Sequence, residues 1–266
     1  MLFKRITSAV VLMLITIAAF LLGGPFLLIM LYFTSCVAFI ELTRAMGVHA
    51  RKAVCNEIEF VGLFGITAYY LIAYSCGFHV RLILPMIATM LALMVAYVLL
   101  FPKYHINQIL ATYFAMFYAP VMLSFIYFIR ELEEGIFLVW LIVVVSWVCD
   151  TGAFAIGMGL GKHKLAPMLS PKKTIEGAIG GIVSATVVGV LFLNWFVEES
   201  WILLAIICII GSILAQIGDL AASAIKRNYE IKDYGRLIPG HGGIMDRFDS
   251  VIFIAPIIYF ILITYR

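Results

Sequence analysis

The chain has 266 residues, of which 64% are apolar and 12% charged, with a mean hydropathy of +1.11 and a formal net charge of +3. A soluble domain carries about 25% charged residues, so the composition excludes a water-soluble globular protein; the net charge by itself says little, because its distribution matters more, and the expected partner is the lipid bilayer rather than nucleic acid. The five cysteines are odd in number and lack CxxC spacing, which argues against a disulfide framework or a zinc site and reads as apolar packing.

Lys4 and Arg5 precede an apolar run from Ile6 to Leu22. No small-x-small cleavage site followed by a soluble domain is visible, so the run reads as an uncleaved first transmembrane helix. Further apolar segments follow, giving expected spans near 6–22, 26–42, 60–76, 82–100, 109–129, 136–156, 176–197, 202–225 and 250–265. The expected fold is all-α: a polytopic integral membrane bundle of about nine helices. It forms one membrane domain over 1–266, with N-terminal helices in 1–135 and the chemistry-bearing helices and loops in 136–266. Pro120 lies inside the fifth span and is expected to kink it.

Loop charge orients these spans. With the N-terminus inside, only Arg81, Arg130 and Arg266 of the 18 basic residues fall outside. The positive-inside rule then places the N-terminus and the long loops 157–175 and 226–249 in the cytoplasm, and the protein in the inner membrane. Gly177, Gly181, Ala185 and Gly189 recur every four residues on the seventh span. A small-residue face of this kind lets another helix approach closely, either within the chain or in a homodimer.

Polar residues concentrate toward the C-terminus. Asp150 closes the sixth span after Trp147, and Ser170 to Thr174 form a basic turn with Thr174 as a helix cap. Lys172 and Lys173 either anchor the membrane edge or bind an anionic head group or phosphate. Asp219 lies in the eighth span, about 10 Å below Lys226 at 1.5 Å per residue, with Ser223 on the same face. A carboxylate at that depth needs a cation, either a basic side chain or a metal ion. The stretch from Ser223 to Asp249 then joins two apolar segments, yet carries Lys226, Arg227, Lys232, Arg236 and Arg247. Its Pro239–Gly243 segment includes His241, Gly242 and Gly243, and permits close approach of backbone N–H groups to an anion. Asp246 and Asp249 share one helix face if the last helix begins near Met245. They serve either as N-terminal caps or, with Asp219, as oxygen ligands for Mg²⁺.

Together these residues resemble the phosphatidate cytidylyltransferases. The family signature appears here as Ser223, Lys226-Arg227, Lys232-Asp233, Pro239 to Gly243, Asp246-Arg247 and Asp249. Gly218-Asp219, Trp147 with Asp150, and Ser170 to Thr174 with Glu176-Gly177 extend the likeness over roughly 147–250. The resemblance implies an Mg²⁺-dependent enzyme that joins CTP to phosphatidic acid at the bilayer surface, releasing pyrophosphate, and at family level it allows a monovalent cation such as K⁺. It implies metal binding by Asp219, Asp246 and Asp249, with Lys226 and His241 in catalysis. Ser223, Arg227, Lys172, Lys173, Asp150, Gly242, Gly243 and Arg247 would then bind substrate. Two other readings stay open on the residues alone. One is another CTP-dependent membrane enzyme such as a polyprenol kinase; the other is a carrier with an intramembrane carboxylate.

Overall fold

The computed structural model describes residues 2–49, 55–197, 199–237 and 242–265. Apolar runs become helices because a backbone in hydrocarbon must satisfy its own N–H and C=O groups. Among the described residues these are α1 (Leu2–Leu22), α2 (Gly24–Ala45), α3 (Glu57–Cys76), α4 (Val80–Leu99), α5 (Ile106–Arg130), α6 (Gly135–Leu160), α7 (Ile175–Leu193), α8 (Trp201–Asn228) and α9 (Met245–Tyr265). Eight of them, α2 to α9, are long and apolar enough to cross a membrane; in α1 the described apolar stretch is Val10–Leu22. The protein is a polytopic integral membrane helical bundle. Large apolar side chains such as Phe64, Val98 and Leu99 are at least 70% exposed on these spans, as a bilayer-facing surface requires.

Pro120 sits at a break in the α-helical regularity of α5. Residues Phe117–Val121 of α5 form a π-helical turn around it, which absorbs the missing N–H. A second π turn, Val144–Val148, interrupts α6 just before Asp150. Asp150 does not close its helix, because α6 runs on to Leu160. Nor is the Ser170–Thr174 segment merely a turn. It is strand β2, paired antiparallel with β1 (Lys164–Ala166) in a hairpin between α6 and α7.

Two compact units contain these elements. One comprises Met1–Phe128 with Tyr229–Arg247, the other Ile129–Asn228 with Phe248–Arg266. In the first, Val48, Ile58, Leu93, Tyr104 and Ile109 form a buried cluster. The Tyr70 hydroxyl lies 2.7 Å from Ser35 Oγ and donates to the Pro120 carbonyl at 3.2 Å, tying α2 and α3 to the π turn. A capping box between Asn56 and Glu59 starts α3, and the buried Glu59 also accepts from Thr43 Oγ1 at 2.5 Å.

In the second unit α7 packs against α6 along the small-residue face expected from sequence. A methyl group added at Gly181 would lie 2.6 Å from the Cys149 carbonyl, and one at Gly177 2.7 Å from the Ala153 carbonyl. The face is therefore used inside the chain, where its smallness lets two backbones touch. Thr174 caps α7 as expected, its Oγ1 accepting from Gly177 N at 3.2 Å. Glu176 accepts the backbone N–H groups of Lys162 and His163 at 3.0 and 3.2 Å, which fastens the base of the hairpin.

Candidate active site

Within the second unit, four elements deliver charge to one place. Helix α8 carries Asp219 nine residues before its end at Asn228, then Ser223 and Lys226, all half-buried, and the exposed Arg227. Strand β2 carries the exposed Lys172 and the half-buried Lys173, whose ammonium forms an ion pair with Asp219. Helix α9 carries the buried Asp249, which accepts from Ser250 N at 2.8 Å. Asp249 feels the charges of Asp219, Lys226 and Asp150, the last supplied by α6. Gly218 makes the approach of α8 to α9 possible: a Cβ there would lie 2.7 Å from the Asp249 carbonyl oxygen and 3.2 Å from Ser250 Cα. The glycine beside Asp219 thus brings the two carboxylates within each other's field.

The partner of Asp219 could not be chosen from sequence, and here it is Lys173. Two acids with overlapping fields and neighbouring lysines form a site that must be neutralised by cations. Among the described residues no three His, Cys, Asp or Glu side chains are grouped as a complete protein cage for a metal ion. Mg²⁺ needs no such cage, since it takes one or two carboxylates and fills its remaining positions with water and substrate phosphates. The hard oxygen donors of Asp219 and Asp249 fit that chemistry.

In the first unit the described parts of the loop before α9, residues 229–237 and 242–244, are held to two acids. Asp246 is buried, and its Oδ2 accepts from Tyr234 N at 2.9 Å and Gly243 N at 3.0 Å. Gly242 takes φ +86°, a left-handed angle that suits glycine, and turns the chain back over the Asp246 carboxylate. The second acid is Glu41, near the end of α2 and 5% exposed. Its Oε2 accepts from Met245 N at 2.8 Å, satisfying one of the orphan N–H groups at the start of α9. Gly243 and Gly235 lie against the Glu41 carboxylate with no room for a side chain. Sequence reading missed Glu41. Its one available signal was an acid inside an otherwise apolar segment.

His241 lies outside the described residues. Arg247 is exposed on the first turn of α9, and Asp246 and Asp249 stand one turn apart on that helix.

The sequence matches the pattern of the Cytidylyltransferase family over residues 3–265. It is 36% identical over 265 residues to the phosphatidate cytidylyltransferase of Staphylococcus haemolyticus, covering 97% of this chain and 98% of that one. It is 34% identical to the proteins of the same name from Staphylococcus saprophyticus, over 267 residues, and Staphylococcus aureus, over 265, with the same coverage. A match that runs through the apolar N-terminal helices as well as the acid-and-lysine cluster leaves one conclusion: the chain belongs to the cytidylyltransferase family.

Proposed function

We propose that this protein transfers the cytidylyl group of CTP to phosphatidic acid, giving CDP-diacylglycerol and pyrophosphate. The observation that carries the reading is the cluster of Asp219, Asp249, Lys173 and Lys226 in an integral membrane protein of this family. An oxygen of the lipid phosphate bonds to the α-phosphorus of CTP, and the bond from that phosphorus to the β-phosphate bridge breaks. Both reactants are anions, so repulsion between them is the first barrier. Lys173 and Lys226 lower it by charge, and such transfers depend mainly on positioning and charge stabilisation. The attacking phosphate is already ionised at neutral pH, so no strong base is needed, and His241 is better suited to binding phosphate.

Asp219, Asp246 and Asp249 are the proposed carboxylates for Mg²⁺, which when bound would offset phosphate charge and stabilise the leaving pyrophosphate. Ser223, Arg227, Lys172, Arg247, Gly242 and Gly243 are proposed to contact phosphate groups, with Asp150 supporting the polar site. A K⁺ requirement rests on the resemblance alone, and substituting choline chloride for KCl in the assay tests it. The distribution of basic residues supports a site on the cytoplasmic side of the inner membrane.

The deciding experiment incubates purified protein with CTP, phosphatidic acid and MgCl₂, then measures pyrophosphate and CDP-lipid together. Equal amounts of both are expected. Release of CDP with a phosphorylated lipid would replace this reading with a lipid kinase.

A further inference from the structure

Lys173 and Asp219 come from different elements, strand β2 and helix α8, and their side chains form an ion pair. Neither is deeply buried: the side chains are 27% and 30% exposed, so dissolved ions reach both partners. The backbone under Lys173 is fixed. Its neighbour Thr174 pairs with Lys164 across the hairpin, caps α7 and is buried. A Cβ at Gly161 or Gly177 would lie 2.8 Å or 2.9 Å from the Thr174 hydroxyl oxygen, so backbone closes in around that residue. The strand cannot yield at this point, whereas the flexible four-carbon stem of Lys173 can swing.

We infer that Lys173 is the resident counter-ion of Asp219 and that a divalent cation displaces it, the two being alternatives on one carboxylate. This assignment rests on the proposed metal role of Asp219 in cytidylyl transfer and adds an order of events to it. An ammonium and a doubly charged ion drawn to the same carboxylate repel each other, because charges a few ångströms apart interact even through water. Before a cation arrives, Lys173 neutralises an acid that would otherwise stand uncompensated in a membrane-spanning helix. When one arrives, Lys173 gives up Asp219, and its ammonium is free to offset phosphate charge beside it. One lysine thus serves two anions in turn, and the acid is never left unpaired. Lys173 therefore opposes metal binding while promoting the reaction, so its removal has opposite effects on the two.

The test titrates Mn²⁺ into purified full-length protein in detergent, without CTP or lipid, and reads free and bound ion by electron paramagnetic resonance. Lys173→Gln should tighten Mn²⁺ binding about tenfold. Lys172→Gln removes the same charge from the exposed neighbouring position, where salt screens it, and should change binding by less than about twofold. Asp219→Asn should weaken binding at least about tenfold, and Lys173→Gln added to it should change little more, because the pair no longer exists. With MgCl₂ varied in the activity assay, Lys173→Gln should need less Mg²⁺ for half-maximal CDP-lipid formation and yet reach a lower maximum. Lys173→Met keeps the stem without its charge; it should match Lys173→Gln and replaces it if size-exclusion profiles show that variant misfolded. Unchanged or weaker Mn²⁺ binding without the Lys173 charge overturns the inference. So does an equal gain in Lys172→Gln, a gain undiminished in the Asp219→Asn background, or no Mn²⁺ binding in wild type and variant alike. Binding that survives Asp219→Asn unchanged removes Asp219 from the metal role and the inference with it, while CDP-lipid formation by the wild type still upholds the reaction. The exchange without any CDP-lipid formation would do the reverse.

Discussion

Asp219 and Asp249 share a field, and Lys173 answers one of them. Replacing Asp219 by Asn deletes a negative charge of the same shape and leaves Lys173 without its ionic partner. Removal of a preorganised electrostatic group costs on the order of 10²-fold in turnover, so Asp219→Asn and Asp249→Asn should each lower CDP-lipid formation by about that factor in folded protein. Near-normal rates for either, measured at saturating Mg²⁺, would take that residue out of the metal role. Glu41 is a different kind of acid, because it accepts from the backbone N–H groups of Ile244 and Met245 at the start of α9. Glu41→Ala leaves the buried Met245 N–H unpaired, at a cost of about 1–3 kcal/mol. Thermal unfolding in detergent should show a lowered Tm, and Glu41→Gln, which keeps an acceptor, should recover most of it. A Tm equal to wild type for Glu41→Ala would show that the latch carries little weight.

At the level of elements, position is set by small residues and by breaks in helical regularity. The approach of α8 and α9 depends on the absence of a side chain at Gly218, where a methyl group would press on the Asp249 carbonyl. Gly218→Ala should therefore shift α9 against α8 and cut activity at least about tenfold, because misplacing reacting groups by an ångström is costly. Full activity in this variant would mean that the helices can adjust freely. Some of this level was readable in advance. The four-residue repeat on α7 announced a close helix contact, and Thr174 announced a cap. The hairpin was not readable, since Ser-Pro-Lys-Lys-Thr has the composition of a turn. It becomes a strand only because β1 pairs with it and Glu176 holds its base.

For the whole molecule, the prediction concerns orientation. If all nine helices cross the bilayer with the N-terminus inside, the C-terminus falls outside, and the concentration of basic residues in alternate loops is the physical ground for that expectation. Alkaline phosphatase fused after Arg266 should be active in a bacterial host, and a green fluorescent protein fused there should stay dark. A bright C-terminal fluorescent fusion would invert the topology or remove a span. That result would bear on α1 first, whose described apolar stretch is the shortest among the described helices.

Span positions, the membrane class and the signature residues were legible in the chain because hydrophobicity and charge are local properties, and a bilayer reads them segment by segment. The identity of the partners was not. Any of the 18 basic residues could have answered Asp219; only packing put Lys173 there. The same holds for Glu41, which meets Met245 across 204 positions of sequence. A buried charge demands neutralisation wherever it lies, but which group supplies it is settled by distance, and distance between remote residues exists only once the chain has folded.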